Sequence, residues 1–192
     1  MSIATYPELV CTLDDHEQQE FSKPFHHDWE ILKAANLFLG IEEIAIRPIE
    51  FWLPESYVQF FPAIALAIRH ERAVRGDLAL DETLLTIRQN QVSRGRSQQQ
   101  VGTRYAHQDS DGKRPERFYT ISDNQSTHYY PEIPPLPAAT PSGGQAEVTD
   151  RPYVAFDAYD LVHASALTYH RSPPMPEGGM RTFLRLTFKY EE

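Results

Sequence analysis

The chain is short of several things, and each shortage excludes a class. It has one cysteine, Cys11, in 192 residues, so neither an internal disulfide nor a cysteine-rich zinc site is available. No apolar run approaches the roughly 18 residues that would cross a bilayer. The first ten residues, M-S-I-A-T-Y-P-E-L-V, lack the basic start and apolar core of a signal peptide. A cytoplasmic protein is therefore expected. Positive charge is also short: 18 Lys and Arg stand against 27 Asp and Glu, for a formal charge of −9. That balance offers no electrostatic footprint for nucleic acid or an anionic membrane, and a small-molecule partner remains. There is no internal repeat, and nothing in the chain speaks to oligomeric state.

What is present is ordinary for a globular protein with a sizeable core: 41% hydrophobic and 23% charged residues. Its length fits a single domain over residues 1–192. The 15 prolines gather in loops. Residues 1–24 are polar and acidic and are expected as an irregular arm or a short strand. Residues 28–39, D-W-E-I-L-K-A-A-N-L-F-L, have helical spacing, with Gly40 as a stop. Residues 41–52 are β-rich. Residues 54–75 are expected as helix in two pieces divided at Pro62, ending at Gly76. From residue 82 the character changes to short strands and turns. Strands are expected at 84–92, 102–107, 117–122, 127–130, 152–156, 160–164 and 180–190. Two loops interrupt them: S-R-G-R-S-Q-Q-Q at 93–100, and a proline-rich flap, P-E-I-P-P-L-P-A-A-T-P-S-G-G, at 131–144. Helices followed by many strands define an α+β chain, with 1–80 an N-terminal arm and supporting helices and 81–192 a β core.

The candidate chemistry lies in two stretches. Arg104–Asp111 reads R-Y-A-H-Q-D-S-D, and residues two apart on an extended segment share a side, so His107 and Asp109 can reach one metal ion. Downstream, His170 precedes R-S-P-P and stands eleven positions before Arg181. His163, in the apolar run L-V-H-A, is the alternative distal histidine, and His170 is preferred because it sits where a strand ends. Two histidines and a carboxylate can make a facial iron site, and a nearby arginine can anchor a dicarboxylate. Another His-x-Asp pair, His26 and Asp28, reads better as a helix start. In R-T-F-L-R-L-T-F-K-Y, Arg181, Phe183, Arg185 and Thr187 share one face and Thr182, Leu184 and Leu186 the other. Apolar residues on both faces imply a strand buried on both sides, where arginine is costly without an anion.

This set, in this order, resembles the Fe(II)/2-oxoglutarate-dependent dioxygenases, whose double-stranded β-helix (a jelly-roll, cupin-like core) carries His-x-Asp/Glu, a distal His and a following Arg. The match covers residues 84–190, and the ending resembles the last core strand of bacterial free amino-acid hydroxylases. The resemblance implies His107, Asp109 and His170 as ligands of Fe(II), and Arg181 as the partner of the distal carboxylate of 2-oxoglutarate, with Thr127 or Tyr119 adding a hydroxyl. It implies Arg185, with His128 and Tyr129, on the substrate side. The implied reaction uses dioxygen to oxidise, by default to hydroxylate, a small carboxylate-bearing or amino-acid-like molecule, releasing succinate and CO2. Two other classes remain open. One is a cupin-like metalloprotein without 2-oxoglutarate, a cofactor-independent dioxygenase or an isomerase, in which Arg181 has no reason to face the metal. The other is a non-catalytic β-sandwich binding module.

Overall fold

The computed structural model describes residues 6–24, 42–46, 55–98, 104–109, 115–135 and 144–191. Among these residues the chain forms two sheets with helices set against one of them. The larger sheet has six strands: β1 (Glu8–Thr12), β2 (Glu42–Ile46), β3 (Leu80–Val92), β5 (Glu116–Ser122), β8 (Asp160–Ser165) and β10 (Gly179–Tyr190). The smaller has four: β4 (Tyr105–His107), β6 (His128–Tyr130), β7 (Gln145–Glu147) and β9 (Tyr169–Arg171). The strand orders are β1-β8-β5-β10-β3-β2 and β6-β9-β4-β7, and the pairings are antiparallel.

The strand that organises the larger sheet is β10, paired along its length with β3 and flanked on the other side by β5. Its alternation decides what each face meets. Leu184, Leu186, Phe188 and Tyr190 enter the main core together with Ala63, Ile64 and Ala67. Those three belong to α2 (Phe61–Val74), which buries Ala63, Ile64, Ala67, Ile68 and Glu71, one stripe at helical spacing. The opposite face of β10 turns toward the smaller sheet. Between the sheets Phe118 of β5 and Val162 and Ala164 of β8 pack with Tyr129 of β6.

Several expectations shift in detail. Pro62 starts α2 rather than breaking a helix, since it occupies the first turn, where its missing N–H costs nothing. A 3₁₀ turn over Glu55–Phe60 precedes it, and Gly76 follows the end with φ +62. The short strand expected within residues 1–24 is present, and a helix that was not expected follows it. They are β1 and α1 (Asp15–Phe21), the latter opened by a capping box in which Asp14 accepts from the Glu17 N–H and Glu17 reaches back to the Asp14 N–H. The expected strand at 152–156 reduces to one bridge, Val154 against Tyr129, because Pro152 supplies no N–H for a longer ladder. The helix expected at 28–39, the pair His26 and Asp28, and residues 136–143 of the flap lie outside the described residues. Among the described residues no helix is long and apolar enough to cross a membrane.

Candidate metal centre and adjoining cavity

Antiparallel pairing brings the two halves of the candidate site together. His107 ends β4, and its register partner is His170 on β9, so the two rings project from one face of the smaller sheet with centroids 4.6 Å apart. Two residues beyond His107, Asp109 turns in, tied by its N–H to the Ala166 carbonyl at 3.0 Å. His170 Nε2 lies 3.2 Å from Asp109 Oδ2 and His107 Nε2 lies 3.5 Å from Asp109 Oδ1. One ligand atom from each residue falls within 4.8 Å of the other two. Adjacent ligands around a metal with bonds of about 2.1 Å stand about 3 Å apart, so the set suits a single ion. The protonation pattern suits it too. His170 Nδ1–H donates to the Thr168 carbonyl at 2.9 Å, which leaves the Nε2 lone pair aimed at the centre. Burial pushes the His107 imidazole below its ordinary pKa against its hydrogen bond with Asp109, which favours the neutral, ligating form. Burial opposes ionisation of Asp109, but Arg185, His170 and His107 outweigh it and hold its carboxyl well below the usual range. Two imidazoles and one carboxylate fit Fe(II).

Beside this cluster is a small, partly open cavity. His170, Thr127 and Phe183 line it together with three arginines, Arg88, Arg181 and Arg185. Arg181 is 1% exposed. Its Nη1 donates to Gln98 Oε1 at 2.7 Å and Ser172 Oγ at 3.0 Å, and its Nη2 to the Gln125 carbonyl at 2.8 Å and Ser122 Oγ at 3.5 Å. All four acceptors are neutral, and Nε, also buried, has no acceptor. Burial lowers the guanidinium pKa to about 10, with Asp123 opposing and Arg88 adding to the fall. Arg185 takes a different partner: its Nη1 donates to Asp109 Oδ2.

The sequence-selected residues divide accordingly. His107, Asp109 and His170 converge, and Arg181, Arg185 and Thr127 border the same cavity. Tyr119 does not. It alternates with Phe118 and Thr120 on β5 and so faces α2, where its hydroxyl donates to Glu71 Oε2 at 2.7 Å and accepts from His70 Nδ1 at 2.9 Å. His128 is one residue out of phase with Tyr129, whose register partner is His170. It therefore points away from the site and stacks on Tyr153 with centroids 3.8 Å apart. Tyr129 points inward but stops behind the wall, fully buried, with its hydroxyl bonded to Thr120 Oγ1. His163 pairs in register with Tyr119 and stacks on it at 4.9 Å, on the face remote from the metal cluster. Sequence reasoning missed Gln98, Ser122, Gln125 and Ser172, which clamp Arg181, and Arg88. Their only sequence signal is polar character in loops and at strand ends.

Neither a family model nor a curated protein matches the chain. Solved structures similar to it include AviO1 from Streptomyces viridochromogenes Tue57, at 14% identity over 93% of this chain and 86% of that one, with a TM-score of 0.48. HygX from Streptomyces hygroscopicus with nickel and 2-oxoglutarate bound is similar at 11% identity, over 93% of this chain and 79% of that one, TM-score 0.46. A Pseudomonas putida prolyl-4-hydroxylase is similar at 11% identity, over 97% and 92%, TM-score 0.45. Likeness of this degree carries no weight for function, which has to come from the site itself.

Proposed function

We propose that the chain is an Fe(II)/2-oxoglutarate-dependent oxygenase, built on a double-stranded β-helix, that oxidises a small carboxylate-bearing or amino-acid-like molecule, most simply by hydroxylation. His107, Asp109 and His170 hold the iron, which supplies the centre where dioxygen and 2-oxoglutarate react. The observation that carries the proposal is Arg181. A guanidinium buried among neutral acceptors only, in the cavity beside a His-Asp-His cluster, is unfavourable until an anion joins it. Nε and Nη2 share one edge of the guanidinium. The first has no acceptor, and the second donates to the Gln125 carbonyl at 2.8 Å and reaches Ser122 Oγ only at 3.5 Å. A carboxylate that takes the open Nε–H and displaces the long Ser122 contact would be gripped side-on along that edge. Thr127 lines the same cavity and adds a hydroxyl. A metalloprotein acting without 2-oxoglutarate has no use for this arrangement.

The test is titration of 2-oxoglutarate into the anaerobic Fe(II) protein, followed by its metal-to-ligand absorption band. Arg181→Lys keeps the charge but loses the two-pronged fit, and binding should weaken by about 1.5–3 kcal/mol. Absence of the band in the wild type, or a variant that binds as well as the wild type, overturns the reading.

A further inference from the structure

Resting on the oxygenase reading, we propose that Tyr129, buried behind the cavity wall, is a positioning residue that directs one threonine proton, from Thr120 or Thr127, at the cosubstrate carboxylate. Tyr129 is fully buried, and its hydroxyl bonds Thr120 Oγ1 and meets the Thr127 side chain. Both threonines are buried and both line the cavity. Thr120 belongs to β5 of the larger sheet, and Thr127 immediately precedes β6 of the smaller. The phenol therefore links the two sheets through a relay of three hydroxyls.

Counting protons shows what the relay offers. Three hydroxyls carry three protons, and two of these are used between its members. The third is not the phenol's, because a buried phenol that donates to neither threonine leaves its proton without an acceptor. It belongs to Thr120 or to Thr127. Among the described residues neither threonine hydroxyl has another partner, so the cavity is its open side. Burial pushes the Tyr129 phenol above its ordinary pKa, against the pull of both threonines and of Arg181, so the relay keeps its full complement of protons. It can run in either direction, and the bound oxygen selects which threonine donates. Arg181 works on the same stretch of wall. Its Nη2 reaches Ser122 Oγ, two residues from Thr120 on one face of β5, and the carbonyl of Gln125, two residues from Thr127. A carboxylate taken by Arg181 has lone pairs left to accept the remaining proton. Without the phenol, each threonine hydroxyl is free to turn back on its own backbone.

The ring of Tyr129 also packs against Phe118 and His170, at centroid distances of 6.4 Å in both cases. Tyr129→Phe preserves that packing and removes the hydroxyl alone. The experiment titrates 2-oxoglutarate calorimetrically into protein loaded with Ni(II), which does not turn over, in a double-mutant cycle. Tyr129→Phe should weaken binding by about three- to ten-fold in the wild type, the scale of one neutral hydrogen bond. In protein carrying both Thr120→Val and Thr127→Val, the same change should cost less than about two-fold. Thr120→Ser with Thr127→Ser, which keeps both hydroxyls, should bind within about two-fold of the wild type. Nickel should remain at one equivalent throughout, since no ligand is altered. The single valine variants close the same cycle, again with a smaller loss than in the wild type, should the pair bind too weakly to measure. An equal loss on Tyr129→Phe in both backgrounds makes the phenol a structural prop and overturns the proposal, as does no loss in the wild type. Loss of nickel from Tyr129→Phe also overturns it, by placing the effect at the metal ligands. The parent reading fails separately, if the wild type with Ni(II) takes up no 2-oxoglutarate at all.

Discussion

At the scale of single residues, each imidazole's position is set by strand phase. His163 and His170 lie seven positions apart, yet one faces Tyr119 and the other Asp109. His170 has its Nδ1 proton committed to the Thr168 carbonyl, whereas His163 Nδ1 sits 3.7 Å from the Glu8 carboxylate. His170→Ala should therefore abolish retention of a divalent metal, and His163→Ala should leave it near one equivalent, as read by elemental analysis of the purified proteins. The reverse result would mean that the metal binds elsewhere. The same logic explains Tyr119. It joins Tyr190 and Arg117 as donors to the Glu71 carboxylate, a buried acid whose pKa burial raises against these partners. Its place is in the packing of α2 on the sheet.

At the scale of elements, the approach to β10 decides where Arg181 points. The loop after β3 runs alongside the segment before β10: Gly95 N–H donates to the Met175 carbonyl at 2.7 Å, Met175 N–H to the Arg96 carbonyl at 2.9 Å, and Ser97 bridges Pro174. This extended ladder delivers Gln98 and Ser172 to the guanidinium. It closes at Gly178, where φ is +71 and a Cβ would stand 2.8 Å from Arg94 N and 2.9 Å from Val92 O. Gly95 shares the positive φ but has open space around it. Gly178→Ala should thus cost more than the roughly 1 kcal/mol of φ strain expected for Gly95→Ala. At about 2–4 °C per kcal/mol for a chain of this size, it should melt several degrees lower, and 2-oxoglutarate affinity should fall with it. Equal melting temperatures for the two variants would contradict the close approach.

At the scale of the whole molecule, acid should destabilise the fold. Burial, with Arg171, pushes His128 down to about 4, and burial, with His70, does the same to His163. Both are ordinarily near 6.5. Between about pH 6.5 and 4 the unfolded chain therefore binds protons that the folded chain refuses. Stability is complete above that window and is lost as pH falls through it, by up to about 1.4 kcal/mol per pH unit for each histidine. Glu71, with its raised pKa, acts in the opposite sense and offsets part of the loss. Denaturant unfolding of metal-free protein at pH 7, 6 and 5 should show the decline, and His163→Phe, which keeps a ring against Tyr119, should flatten it. A variant with the wild-type slope would remove His163 from the account.

The sequence alone determined the quantities that depend on local pattern. Alternation in residues 180–190 identified a strand buried on both faces, and the two-residue spacing of His107 and Asp109 placed both on one side of an extended segment. The run after Pro62 marked a helix, and Asp14-x-x-Glu17 carried a capping signal that could have announced α1. Tertiary structure decided everything that depends on phase between distant strands. A shift of one residue sends a side chain to the other face, so Tyr119 and His128, polar aromatics near the right places, ended outside the cavity. Arg88 entered it because β3 pairs with β10 in a register that no local pattern encodes. The clamp on Arg181 is likewise assembled from Gln98, Ser122, Gln125 and Ser172 by chain crossings, and such residues carry no periodicity of their own to reveal which charge they will surround.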